Sequence, residues 1–150
     1  LDGGTGKRTS YFKKSNLTTE EGRTLICDLR AAVPQGFNSW GTNGIILKNK
    51  IDHAGAGSTS DTAVITLQAF DTTTASDTVV ATATRTVLGT TAADTNYQSL
   101  QITGATLNGI SNTFAAGNLI HLRITLSGVY SSSGTPSFWL GGLSTYWGTT

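Results

Sequence analysis

The two histidines are the first candidates for proton transfer or metal binding. His53 follows Asp52 at the end of a predicted strand, and His121 precedes Arg123 by two residues. A metal site would need a third ligand, and the chain contains no His-x-His or His-x-x-x-His spacing. We interpret both histidines as surface or interface residues, with His121 on the outward face of its strand.

A glycine-rich stretch, Gly3-Gly4-Thr5-Gly6-Lys7-Arg8-Thr9, has some of the features of a phosphate-binding loop. Such a loop needs Gly, four residues, and then Gly-Lys followed by Ser or Thr, between a strand and a helix. Arg8 stands where the hydroxyl residue belongs, and no strand precedes the stretch. The pattern therefore argues against a nucleotide site.

The carboxylates do not form a catalytic pattern either. Glu20 and Glu21 are the only glutamates and are adjacent in a predicted turn, which is unsuited to the two flanking acids of a glycosidase. Five aspartates fall in or beside predicted loops, where capping of turns is the favoured role and calcium binding the alternative. They are Asp52, Asp61, Asp71, Asp77 and Asp94. No Gly-x-Ser-x-Gly motif is present, so we expect no enzyme, no catalytic residue, no metal and no cofactor.

The amino-acid composition limits the partners and the bonds that we expect. Charged residues make up 13% of the 150 residues, and the formal net charge is +1, so nucleic acid is not an expected partner. Ser and Thr dominate the polar residues, and a hydroxyl costs less to bury than an ion. No apolar run is long enough to span a bilayer. Cys27 is the only cysteine, which excludes an intrachain disulfide and suits a small buried apolar residue.

Alternation of apolar and polar residues predicts an all-β protein. In one stretch Ile120, Leu122, Ile124 and Leu126 alternate with polar residues, as in a strand with one buried face. The predicted strands are Arg23–Ala32, Gly44–Ile51, Thr62–Phe70, Thr78–Leu88, Tyr97–Thr103, Leu119–Leu126 and Ser137–Trp147, with further edge strands near Tyr11-Phe12 and Leu107. We expect an antiparallel β-sandwich, a jelly roll of about eight strands, over residues 11–150. Residues 1–10 are predicted to be a flexible arm.

Aromatic and basic residues are the candidate partner contacts. Trp139 and Trp147 have the same parity in their predicted strand, which would place them on one face. Aromatic residues of a sandwich serve as core or subunit contacts, or alternatively as a platform for sugar rings. With the basic pair of the arm, the candidate contacts are Lys7, Arg8, Tyr11, Trp40, Trp139, Tyr146 and Trp147.

The last third of the chain resembles the β-sandwich modules of tailed-phage virion proteins, such as head decoration proteins, head fibres and tail-fibre tips. The residues that carry the resemblance are Tyr97–Ile102, Phe114–Ile124 and Phe138–Tyr146. They match a Tyr-x-x-Leu-like strand, an Ala-Gly-Asp/Asn turn, a Leu-x-Leu-x-Ile-like strand and a final strand that ends in an aromatic residue. Asn118 replaces the more usual acid of that turn.

The resemblance implies a non-enzymatic virion component that forms a homo-oligomer, with a trimer favoured, and that binds a capsid or tail protein. The alternative is a carbohydrate-binding module that recognises surface glycans and lies at the cell surface or is secreted. The low charge and the hydroxyl-rich composition suit the burial of surface in the first role.

Overall fold

Eight strands and one short helix make up the part of the chain that the structure describes. The computed structural model describes residues 13–14, 23–54, 61–72, 78–110, 114–129 and 135–149. The elements are β1 (Lys13–Lys14), β2 (Arg23–Ala32), β3 (Phe37–Ala54), β4 (Thr62–Asp71), β5 (Thr78–Leu88), β6 (Gln98–Ile102), α1 (Gly104–Asn108), β7 (Leu119–Val129) and β8 (Thr135–Thr149).

The strands form two four-stranded antiparallel sheets. The first sheet has the order β1-β8-β3-β6 and the second has the order β2-β7-β4-β5. Strands pair as β1 with β8, β2 with β7, β3 with β6 and β4 with β5, as if one long hairpin had been wrapped into a sandwich. Two further pairings, β3 with β8 and β4 with β7, complete the sheets. This is the strand order of a jelly roll, so the predicted fold class is confirmed.

The core lies between the sheets and follows the predicted alternation. In β4 the buried residues that point into the core are Ala63, Ile65, Leu67 and Ala69, and the residues between them are only partly buried. The buried aliphatic side chains of β7 are Ile120, Leu122, Ile124 and Leu126. Burial of one such aliphatic side chain contributes about 1.5–3 kcal/mol, so these two strands supply much of the driving force for the packing of the second sheet.

Strand β3 is longer than the predicted strand Gly44–Ile51, because the chain before Gly44 also pairs with β8. Register shifts separate Trp40 from Ile45, so β3 contains extra residues that β8 does not match. Gly44 has a φ of +56° within this bulge, and a Cβ atom there would collide with the carbonyl oxygen of Ile102. Glycine is therefore required where β3 passes β6. A glycine-containing bulge looks like a turn in the sequence, which explains the missed strand residues.

Leu107 does not lie in an edge strand, so that prediction is wrong. It lies in α1, where Thr103 caps the helix by accepting a hydrogen bond from the backbone N–H of Thr106 (3.2 Å). Leu107 is buried against the core. A helix of five residues is too short to show a 3.6-residue period in the sequence. The all-β composition of the chain therefore favoured a strand near Leu107.

A polar network links the two sheets at one end of the sandwich. Arg85 of β5 donates hydrogen bonds to Asn49 Oδ1 (2.7 Å) in β3 and to Asp94 Oδ1 (2.6 Å). The other carboxylate oxygen of Asp94 accepts a hydrogen bond from the backbone N–H of Ile51 (2.7 Å). Burial by itself would raise the pKa of Asp94, but the hydrogen bonds from Arg85 and Ile51 outweigh it and lower the pKa below its ordinary value of 3.8.

The Asp94 pKa predicts how acid should act on stability. A carboxyl whose pKa is lowered by folding stabilises the protein at neutral pH, and this contribution is lost as the pH falls below 3.8 and through the folded-state pKa. Asp94→Asn should lower the free energy of unfolding by about 1–3 kcal/mol at neutral pH, because a charged hydrogen-bond acceptor is removed. The difference from the wild type should shrink in acid, below the folded-state pKa of Asp94, where both side chains are neutral.

Urea unfolding at neutral pH and in acid measures the difference in stability between the wild type and Asp94→Asn. The control is Asp28→Asn, since Asp28 also accepts hydrogen bonds from an arginine but its side chain is 45% exposed and screened by water. If Asp94→Asn loses the same stability at both pH values, the ionised carboxylate of Asp94 does not stabilise the fold.

Candidate functional site

Trp40 and Trp147 form an aromatic cluster in the sandwich. Trp40 is 4% exposed, and its ring lies 4.4 Å from that of Trp147, centroid to centroid. Phe37 and Phe114 pack edge-on against Trp40 at 5.8 and 5.2 Å. These contacts occupy the ring faces, so the pair does not form an exposed platform on which sugars could stack. Of the two roles open to these tryptophans, core packing is the one that the structure supports.

Trp139 and Trp147 lie on opposite faces of the first sheet, so the prediction of one shared face is wrong. The neighbours of Trp139, Phe138 and Leu140, are buried in the core, whereas Trp147 itself packs against the core. The pairing of β8 with β3 shifts register between Leu140 and Leu143, where β8 has one extra residue. A bulge of one residue reverses the side-chain parity beyond it.

Three of the predicted contacts, Lys7, Arg8 and Tyr11, lie outside the described residues and stay predictions. Tyr146 is 41% exposed, as a partner contact requires. Tyr97, which the sequence did not single out for this role, is similarly exposed. The described part of the predicted contact set therefore contains one surface tyrosine, two core tryptophans and the half-buried Trp139.

Asn108 joins α1 to β3 and was missed by the sequence analysis. Its Oδ1 accepts a hydrogen bond from the backbone N–H of Trp40 (2.7 Å), and its Nδ2 donates to the carbonyl of Trp40 (3.0 Å). The side-chain amide thus takes the place of a strand partner on the side of Trp40 away from β8, where β6 does not reach. The indole Nε1 of Trp40 is buried and has no hydrogen-bond partner among the described residues, a rare situation for a buried donor. An asparagine before a glycine is the only sequence signal of this contact.

Two concave regions lie beside this contact, and both are lined by Trp40 and Asn108. One is a cavity of about 180 Å³ that Phe37, Ile110 and Phe114 also line. The other is a groove of about 630 Å³ between the β3 bulge and α1. Thr42, Asn43, Gln101 and Thr103 are among the residues that line the groove.

Threonine side chains cover the outer face of the second sheet. Cross-strand neighbours lie on the same face of a sheet, and Thr66 of β4 is paired with Thr84 of β5 and with Thr125 of β7. We call this surface the hydroxyl face and define it by residues that alternate with the buried core positions. They are Thr24, Thr66, Thr82, Thr84, Thr86 and Thr125. These residues are uncharged, but Asp28, Arg30, His121 and Arg123 lie farther along the same side of the sheet.

His121 lies on the outer face of β7 but is only 4% exposed, so its predicted outward direction is confirmed and its predicted surface exposure is wrong. Its Nε2 lies 2.8 Å from Asp28 Oδ1, and its ring stacks on Phe70 at 4.6 Å. Arg123 donates from Nε to the same oxygen of Asp28 (2.8 Å) and lies over Phe70. Hydrogen bonds from Arg123 and then from His121 lower the pKa of Asp28.

This cluster explains how a histidine is buried away from the core. Phe70 covers one face of the ring, since the regular pairing of β4 with β7 places Phe70 directly opposite His121. Asp28 supplies an acceptor and is itself held by Arg123. These contacts brace β2, β7 and β4 against one another on the face away from the core. We assign the cluster a role in holding the second sheet together.

Strand β2 is an edge strand with exposed apolar side chains. Within the described residues it pairs with β7 alone, over all ten of its residues. Ile26, on the outer face, is 52% exposed, and Leu29, on the face toward the other sheet, is 42% exposed. Cys27 is partly buried and packs against the core, close to the role predicted for it. A long apolar edge strand offers a template for pairing with another chain.

The described aspartates do not gather into a metal site. Asp61 is fully buried, and Asp94 binds Arg85. Asp77 and the side chain of Asp52 lie outside what the structure describes. Among the described residues no group of three or more His, Cys, Asp or Glu side chains is placed to hold a metal ion. The same residues include no helix that is both long and apolar enough to cross a membrane.

Comparisons of the chain with protein-family models, with curated proteins and with solved structures found no match. The resemblance to phage virion modules therefore stays a prediction.

The Asn108 contact gives a direct test of what holds α1 on the sandwich. Asn108→Ala should lower the free energy of unfolding by about 2–3 kcal/mol, because it leaves the backbone N–H and carbonyl of the buried Trp40 without partners. Urea unfolding followed by tryptophan fluorescence measures the change. Asn96→Ala is the matched control, since the Asn96 side chain is exposed. This substitution should change the free energy of unfolding by less than about 0.5 kcal/mol. Equal stabilities of the two variants would contradict the role of Asn108.

Proposed function

We propose that this chain is a non-enzymatic structural subunit of a virion, a capsid decoration or fibre protein. It acts by forming a homo-oligomer, with a trimer favoured, and by binding a capsid or tail protein. The observation that carries the proposal is the open edge of β2, where Ile26 and Leu29 are exposed beside unpaired strand positions of the described fold.

The edge of β2 favours self-association on physical grounds. The N–H and C=O groups along an open edge are ready to pair with a strand or loop of a neighbouring subunit. Burial of Ile26 and Leu29 would add hydrophobic free energy, at about 25 cal/mol for each Å² of apolar surface removed from water. Soluble monomers protect long apolar edges with prolines and with charges, above all lysines. β2 contains neither Pro nor Lys, and its charged residues are Arg23, Asp28 and Arg30.

The hydroxyl face is suited to the second partner, the capsid or tail protein. Interfaces are depleted in charged residues at their centre. Thr66, Thr84 and Thr125 lie side by side across three strands, and threonine hydroxyls cost less to desolvate than ionised groups do. This row of threonines can therefore be covered by another protein without the burial of a charge.

The jelly-roll strand order is compatible with this role, since the architecture occurs in viral capsid proteins and in lectins. Fold alone does not decide between such functions. A flat aromatic platform for sugars, the alternative considered from the sequence, receives no support from Trp40 and Trp147, because their rings pack on each other and on phenylalanines. Self-association is the function that the described surfaces favour.

Light scattering on the purified chain tests self-association. We expect a particle of three times the 15.6 kDa chain mass, and we expect Ile26→Lys to convert it to a monomer, because a lysine on an edge strand opposes pairing. The matched control is Leu88→Lys, which changes a 45% exposed leucine on β5, the opposite edge of the same sheet. A monomeric wild type would refute self-association. If Ile26→Lys still forms the oligomer, β2 is not the subunit interface.

The N-terminal residues provide a separate test. If residues 1–10 form an arm that lies on a neighbouring subunit, their deletion should weaken assembly and leave the fold intact, because flexible segments gain order on binding. The readouts are the concentration at which the oligomer dissociates and the thermal unfolding of the shortened chain. Unchanged dissociation would show that Lys7 and Arg8 take no part in assembly.

A further inference from the structure

The groove between the β3 bulge and α1 has the dimensions and the chemistry of a ligand site. We infer that it binds a neutral oligosaccharide. Its volume of about 630 Å³ lies within the range of about 300–1,000 Å³ that is typical of small-molecule sites. The inference goes beyond the virion role and uses a different surface from the β2 edge.

The lining of the groove indicates the class of ligand. Hydroxyl and amide groups come from Thr42, Asn43, Gln101, Thr103 and Asn108, and none of the described residues that line the groove is charged. Amide side chains both donate and accept hydrogen bonds, which matches the adjacent hydroxyls of a sugar. A site for a phosphate or a carboxylate would instead require Arg, Lys or a helix terminus of full length. An uncharged, hydroxyl-rich ligand is therefore the best fit.

One of these polar groups, the amide of Gln101, is held in place but only partly used by the protein. Gln101 Nε2 donates to the carbonyl of Asn43 (2.9 Å) in the bulge, which fixes the amide plane. Within the described residues, Gln101 Oε1 and the side chains of Thr42 and Asn43 make no hydrogen bond. Fixed side chains with open hydrogen-bonding groups lose little entropy when a ligand binds.

The floor of the groove depends on close backbone packing. A Cβ atom on Gly104 would collide with the carbonyl oxygen of Gly41 in the bulge, so α1 approaches β3 through glycine. Trp40 also lines the groove, and its indole Nε1 is the buried donor without a partner. The groove is thus built by the two irregular features of the fold, the bulge and the helix, and not by the regular sheets.

A glycan array that carries both neutral and acidic glycans tests the class of ligand. Neutral oligosaccharides should bind, and the signal should fall when free maltotetraose, cellotetraose or chitotetraose of the matching linkage is added. No signal from any neutral glycan, or a signal from acidic glycans alone, would overturn the inference.

Variants and NMR then test the location of the site. Gln101→Ala and Thr42→Ala should each weaken binding of the matching free tetrasaccharide about tenfold, which corresponds to one lost hydrogen bond. Gln98→Ala is the matched control on the same strand, because its amide bonds to the carbonyl of Asn96 outside the groove. In ¹H–¹⁵N spectra the tetrasaccharide should shift the side-chain resonances of Gln101 and the indole resonance of Trp40 but not that of Trp139.

The outcomes separate this site from the proposed self-association. Binding of the tetrasaccharide that is unchanged in Gln101→Ala and Thr42→Ala would overturn the assignment to this groove. Light scattering on the same two variants should give the wild-type mass, since neither residue lies on β2. Loss of the oligomer in both variants would instead show that the groove is a subunit contact, which also overturns the inference.

Discussion

The interrupted pairing of β3 is the constraint on which the rest of the first sheet depends. β3 lies between β8 and β6 and pairs with both, so any irregularity in it must be accommodated on two sides. The bulge after Trp40 is accommodated by Gly44 next to β6 and by Gly104 at the start of α1. Asn108 then supplies to Trp40 the hydrogen bonds that a regular strand would have provided. Helix, bulge and groove are consequences of one departure from regular pairing.

The second sheet has a register shift between Ala69 and Phe70, and it places polar clusters on both of its faces. Arg85 lies on the inner face of β5 and bonds across the sandwich to Asn49 and Asp94, which satisfies buried polar groups and ties the two sheets together. On the outer face, His121 is buried by Phe70 and Asp28. A buried polar group is stable only if its hydrogen bonds are made, and both clusters meet that condition through charged partners.

The proposed functions use different parts of this architecture. The second sheet offers an edge and uncharged rows of threonines, which are suited to contacts with other protein subunits. The irregular end of the first sheet offers a groove with fixed amides, which is suited to a small polar ligand. A virion subunit with both surfaces could assemble through one and recognise a surface saccharide through the other, without competition between the two.

The sequence by itself determined the fold class and most of the strands. The bounds predicted for β2 and β5 agree with the structure, because alternation of side chains is a local property that follows from the two-residue period of a strand. The all-β character followed from composition and from turn residues at short intervals. The sequence also contains no clear catalytic motif, although this absence does not establish what the protein binds.

Only the tertiary structure decided which side chains share a face or a contact. The one-residue bulge in β8 separated Trp139 from Trp147, and the pairing of β4 with β7 placed Phe70 opposite His121. Asn108 and Trp40 are 68 residues apart, so no local pattern could have joined them. Strand pairing is non-local, and a single extra residue reverses every side chain beyond it. For that reason the candidate site, unlike the strands that support it, had to be read from the folded chain.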